Sequence, residues 1–202
     1  QIGGELVDLD TSAGMGSSDW MVVEADEFDR RFLEFTPEIA VVTNVEPEHF
    51  ECYATVDDME DAFVGFLERV KPGGAVVASR GAGPARGEQL DRILERAHLE
   101  ARGVALHRYA SRTDAHAGDW TYGEYRPDGT GSRFVVTPPD GAPITARLAV
   151  PGEHNVMNAI AACLAATRAG VAPDVSLAAL TSFHGVRRRY QTIADGHIRV
   201  VE

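Results

Sequence analysis

The chain has 202 residues, 44% of them hydrophobic, and a formal net charge of −12 at pH 7, which is apolar material for one sizeable core and hardly for two. An acidic balance this strong argues against a nucleic-acid or anionic-membrane surface, where clustered basic residues are needed. No apolar run approaches the length of a membrane span, no signal-peptide pattern opens the chain, and two cysteines, Cys52 and Cys163, give neither a disulfide framework nor a zinc spacing, as suits a reducing cytosol.

In chain order, residues 1–18 are Gly-rich and read as irregular, with a short strand near Ile2-Gly-Gly-Glu-Leu-Val7. Two short apolar runs rich in β-branched residues follow, 20–23 and 39–43, and read as buried parallel strands. Both run into acids: Glu24-Ala-Asp-Glu-Phe-Asp29 after the first, Asn44-Val-Glu-Pro-Glu-His49 after the second. In open α/β sheets ligands collect beyond the carboxyl ends of the strands, so Glu24 and His49 are expected in one crevice. Carboxylates there suit a hard divalent cation, and such a cation suits a phosphate substrate. Imidazole favours softer metals than magnesium, so the sequence leaves the ion unnamed. The competing reading, ordinary solvated loop acids, stays open.

Residues 56–70 put Met59, Ala62, Phe63, Phe66, Leu67 and Val70 on one helical face, with Asp57 or Asp58 near the start and Lys71-Pro-Gly-Gly74 as the stop. Residues 75–78 read as a third strand, 89–101 as a second amphipathic helix and 104–109 as a fourth strand. Strand alternating with helix over short joints predicts an α/β fold, a mostly parallel sheet flanked by helices. After Ser111 the period changes: 120–125, 132–137 and 144–150 alternate apolar and polar residues around Asp128-Gly129 and Asp140-Gly141. These hairpin signals predict a small antiparallel sheet, too short for a core of its own and therefore an appendage to the domain.

Helix formers return over 154–169, where Cys163 reads as packing and Gly170 as the stop. Asn155 and Asn158 lie three apart on its first turn and share a side. An amide offers the donor and acceptor that read an adenine edge, but the spacing by itself favours a helix cap and a surface residue. Arg187, Arg188 and Arg189 invite an anionic partner or form a solvated basic patch. Residues 191–194 and 197–201 around Asp195-Gly196 read as a final hairpin.

Together, Glu24-Ala-Asp-Glu-Phe-Asp29, Val42-Thr-Asn-Val-Glu-Pro-Glu-His49 with Tyr53, Pro151-Gly-Glu-His-Asn-Val-Met-Asn158 and Phe183-His-Gly-Val-Arg-Arg-Arg-Tyr190 resemble the central ATP-binding domain of the Mur ligases, in the expected order and over nearly the whole chain. The resemblance implies a P-loop NTPase-like domain over residues 1–190 whose first strand and phosphate loop lie upstream. No Gly-Lys-Ser/Thr sequence occurs here, and Lys71 is the one lysine. Residues 191–202 would lead into an absent C-terminal domain. The implied reaction is ATP-dependent amide formation in peptidoglycan precursor synthesis, through an acyl phosphate, by a cytoplasmic enzyme. Glu24 and His49 would be catalytic metal ligands holding Mg2+. His154 would pack on the adenine of ATP, Asn155 and Asn158 would contact its edge, and Arg189, before Tyr190, would reach the phosphates. Asn44 would support the His49 loop, and Asp26 with Glu27 would shape the entrance.

Some family members use a carbamylated lysine on the helix after the histidine motif. Residues 56–70 contain none, which fits the member that joins L-alanine to UDP-N-acetylmuramate. A sibling that attaches a recycled peptide to the same sugar nucleotide, and a non-catalytic nucleotide-binding module, are the alternatives. Glu48 and Glu51 stand where the family usually has aspartate, shifting those carboxylates by a methylene. The oligomeric state is left open.

Overall fold

The computed structural model describes residues 3–80, 84–187, 192–195 and 199–201, and their side chains over 3–80 and 87–187. Six strands form one mixed sheet in sequential order. β1 (Ile39–Val42), β2 (Ala75–Ser79) and β3 (Ala105–Ser111) are parallel, with Ile39 opposite Ala75 and Ala75 opposite Ala105. All five residues of β2 are buried, so its Ala-Val-Val-Ala run shows no alternation, as expected of a strand covered on both faces.

The antiparallel strands are β4 (Trp120–Asp128), β5 (Gly131–Thr137) and β6 (Ile144–Leu148). They continue the parallel sheet, because Tyr109, Ala110 and Ser111 of β3 pair in parallel with Trp120, Thr121 and Tyr122. Asp128 closes the β4–β5 turn and accepts from Arg133 at 3.2 Å and from Arg147 at 2.9 Å, tying three strands at one point.

Helices cover both faces. α1 (Val56–Leu67) and α2 (Pro84–Arg96) enclose a core that includes Val42, Leu67, Val70, Val76, Leu90 and Ile93. α3 (Glu153–Arg168) packs Val156, Ile160 and Leu164 with Val77, Tyr109 and Phe134 on the opposite face. The predicted face of α1 is the inward one: Met59, Ala62, Phe66 and Leu67 are buried, and Phe63 packs against the same core. Its N-cap is Thr55, whose hydroxyl accepts from the Asp58 N–H at 3.1 Å, where the acids alone suggested Asp57 or Asp58. The helix ends at Leu67, and the Arg102 guanidinium caps its last carbonyl and bonds the Val70 carbonyl just beyond, at 3.1 Å each.

Some elements depart from the sequence reading. Residues 20–23 form no strand. Among the described residues no strand lies on the outer edge of β1, and Trp20, Met21 and Val22 are exposed, so the run has neither the sheet neighbour nor the buried face that a central strand requires. α2 begins at Pro84, five residues earlier than its apolar period shows, because its first turn is polar. A short α4 (Pro173–Ala179) follows α3 with proline in its first turn and a single buried residue, Leu177, too little to create a period. The predicted strand near residues 2–7 reduces to isolated bridges from Leu6 to Thr11 and to Val186. β7 (Thr192–Asp195) and β8 (Arg199–Val201) pair antiparallel.

Candidate active site

The carboxyl end of β1 is where the chemistry-bearing side chains gather. Ser79, at the end of β2, donates its hydroxyl to the Thr43 carbonyl at 2.5 Å and so fixes the point where β1 becomes loop. Beyond it lies a cavity of about 390 Å³ with an apolar floor of Phe32, Val42 and Phe66 and a polar rim that includes Thr43, Asn44, Glu46 and Glu48. Asn44 donates to Glu46 at 2.8 Å, which braces the first turn of the loop that carries His49.

His49 meets three acids. Potential ligand atoms of Glu27, Glu48 and His49 lie within 4.8 Å of one another. The His49 Nε2 stands 3.5 Å from a Glu27 oxygen and its Nδ1 3.8 Å from Glu51. The Phe28 ring contacts the imidazole edge-on at 5.4 Å between centroids. His49 has φ of +57°, an uncommon backbone for a non-glycine residue, with its carbonyl accepting from Cys52 and Tyr53 at 2.7 and 3.1 Å. Two carboxylates and an imidazole form a mixed oxygen and nitrogen donor set that a divalent cation can occupy.

The other residues singled out in the sequence are distributed as follows. Glu24 is exposed and accepts the Gly3 N–H at 2.5 Å; it stands outside the group of three around His49. Asp26 accepts the Phe28 N–H at 2.9 Å and shapes the turn that delivers Glu27. Glu27, expected at the entrance, and Glu48, noted only as a departure from the usual aspartate, are the acids that converge on His49. The signal for Glu48 was its adjacency to His49; nothing in the sequence singled out Glu27 above Glu24, because facing depends on the turn between them.

At the start of α3, Gly152 has φ of +101°, a backbone that favours glycine; a Cβ there would meet only the ring of exposed His154, which can swing aside. His154 and Asn158 are exposed. Asn155 is half-buried and donates from its side-chain amide to the Pro151 carbonyl at 2.6 Å, leaving its side-chain oxygen uncommitted to that bond. Arg187 pairs with Glu5 and Asp10 near the chain's beginning. Arg188, Arg189 and Tyr190 lie outside the described residues.

A model of the Mur ligase middle domain matches residues 9–166. The UDP-N-acetylmuramate--L-alanine ligase of Mycolicibacterium gilvum is 39% identical over all of this chain, which spans 41% of that relative's length. The enzyme of the same name from Saccharopolyspora erythraea is 39% identical over 94% of the chain and 37% of its own length. Among solved structures, UDP-N-acetylmuramate-alanine ligase MurC from Thermotoga maritima superposes with a TM-score of 0.69 at 22% identity, over 89% of this chain and 37% of that one. The chain thus spans about two fifths of the curated relatives it matches.

Proposed function

Since this chain belongs to the Mur ligase family, as its middle domain, we propose that it is the ATP-binding part of a cytoplasmic ligase that joins L-alanine to UDP-N-acetylmuramate in peptidoglycan precursor synthesis. The observation that carries the reading is the 39% identity, over the whole chain, to a relative of that name. The acid–histidine cluster beside the cavity at the end of β1 supports it, because phosphoryl transfer to a carboxylate brings anions together and requires their charge to be neutralised.

In this reading the lactyl carboxylate of the sugar nucleotide attacks the γ-phosphorus of ATP, ADP leaves, and an acyl phosphate forms. The alanine amine then attacks the acyl carbon, phosphate departs with its electron pair, and the amine loses a proton as the amide forms. Held by the acid–histidine residues of this chain, a divalent cation such as Mg2+ would supply charge neutralisation for phosphoryl transfer. Within this chain Glu24 and His49 carry the metal roles, Glu27 and Glu48 add carboxylates beside His49, and Asn44 braces that loop. His154, Asn155 and Asn158 form the adenine site at the start of α3, and the phosphate role falls to Arg189 on the strength of its sequence motif alone.

The test is an acceptor comparison with the ligase that carries this chain. With UDP-N-acetylmuramate, ATP and Mg2+, phosphate release should require L-alanine, and a tripeptide should not replace it. Turnover with the tripeptide and none with L-alanine would overturn the substrate assignment. Unchanged turnover in His49→Ala would overturn the metal assignment.

A further inference from the structure

The loop that presents Glu27 to His49 is held by residues that touch neither side chain's ligand atoms. The Tyr53 side chain is 1% exposed, and its hydroxyl donates to the Glu27 carbonyl at 2.5 Å. The Arg30 guanidinium lies 5.2 Å from the Tyr53 ring centroid and bonds both oxygens of Asp58 at 2.7 Å. Asp58 also accepts the Ala54 N–H at 3.1 Å, and its own N–H is bound by the N-cap Thr55. A continuous path therefore runs from the first turn of α1, through Asp58, Arg30 and Tyr53, to the backbone of Glu27.

The backbone between these anchors is under strain that the path must hold. Asp29 and Arg30 have φ of +54° and +56° in succession. Left-handed non-glycine residues persist where surrounding structure over-determines them. Phe32, stacked on Phe66 with centroids 5.0 Å apart, fixes the far side of the turn. On the near side, Phe32 N–H returns to the Asp26 carbonyl at 2.9 Å, closing the loop around Glu27 and Phe28. With both ends fixed, the Glu27 carbonyl accepts from the Arg30 N–H at 3.0 Å within the turn and from the Tyr53 hydroxyl, the side-chain contact that reaches it from outside the turn.

We propose that Tyr53, Arg30 and Asp58 are positioning residues for the acid–histidine cluster, the tyrosine hydroxyl setting the Glu27 carbonyl and the Arg30–Asp58 pair holding the tyrosine and the strained turn. The proposal rests on the reading of that cluster as a divalent-metal site. Aligning a ligand from behind is how groups one step away from an ion control its affinity, and removing such a partner costs about 10–100-fold in binding.

The experiment is Mn2+ titration of the 202-residue chain by electron paramagnetic resonance, with the Phe28–His49 ring contact followed by nuclear Overhauser effects on the metal-free protein. Tyr53→Phe should weaken Mn2+ binding by about tenfold or more and attenuate the ring contact. In a Glu27→Gln background the same substitution should have little further effect on Mn2+, because its route passes through Glu27; a general structural weakening would lower affinity equally in both backgrounds. Asp58→Asn, at a side chain about one-third exposed, is the second variant should Tyr53→Phe fail to fold, and it should move both readouts in the same direction. Wild-type affinity with an intact ring contact in a folded variant would overturn the proposal, as would equal losses in the two backgrounds. If the wild-type chain binds no Mn2+, the metal reading fails, and the ring contact alone decides the positioning role: lost in the variants, it stands; retained, it falls.

Discussion

Asp119→Asn tests whether the carboxyl edge of the sheet is locked by an ion pair. Asp119 is 4% exposed and receives both the Nε and an NH2 group of Arg80 at 2.8 and 3.0 Å, with the His116 N–H at 2.8 Å. Arg80 follows directly on β2, and Asp119 precedes β4, so the pair ties the ends of two strands across β3. Breaking a buried pair by neutralising one partner costs about 3–5 kcal/mol. Arg80 is 20% exposed, so water relieves part of the stranded charge and about 2–3 kcal/mol is the expected loss at pH 7. For a domain of this size that lowers Tm by roughly 5–10 °C.

The pH dependence provides the control. Burial pushes the Asp119 carboxyl up, but the Arg80 hydrogen bonds, the His116 N–H and the neighbouring arginine charges outweigh it, and the net shift is downward. A carboxyl whose folded pKa is depressed stabilises fully above its unfolded value of about 3.9 and loses that contribution as pH falls through the folded value. Urea unfolding of both proteins should therefore show a gap that is constant near neutrality and closes below about pH 4. A gap under about 0.5 kcal/mol at pH 7, the range of an ordinary surface change, or one that persists unchanged into acid, would refute the reasoning.

Other outcomes follow from the same geometry. In the ligase carrying this chain, Glu24→Ala should nearly abolish turnover while Glu34→Ala stays close to wild type; equal rates would remove Glu24 from the site. Asn158→Leu, at an exposed position, should raise the ATP KM and erode preference over GTP by about 1–3 kcal/mol in discrimination, with Tm little changed; an unaltered ATP-to-GTP ratio would remove Asn158. Burial pushes the phenols of Tyr109 and Tyr122 well above their ordinary value, with Glu153 adding to the second. Their stabilising contribution is complete below the unfolded value of about 10 and is lost as pH rises above it, so alkaline absorbance titration should show these phenols ionising only with unfolding.

The amino-acid sequence by itself determined the elements whose periodicity is long or whose burial is complete. The inward face of α1 from Met59 to Leu67, the buried run of β2 and the alternation of β5 were legible because core packing imposes a repeat on the residues themselves. Family membership was legible for a related reason: its motifs are local strings around Glu24, His49, Asn155 and Arg187. The tertiary structure alone decided what depends on partners distant in the chain. Residues 20–23 have the composition of a strand and form none, because a strand exists only with a ladder beside it. The antiparallel strands join the main sheet through three residue pairs between β3 and β4, a register that no local pattern encodes. Glu27 and Glu48 converge on His49 because a strained turn, pinned by a tyrosine 26 residues away, rotates one acid toward the imidazole. Which of several neighbouring carboxylates faces a site is set by backbone dihedrals and long-range contacts, and those are properties of the folded chain.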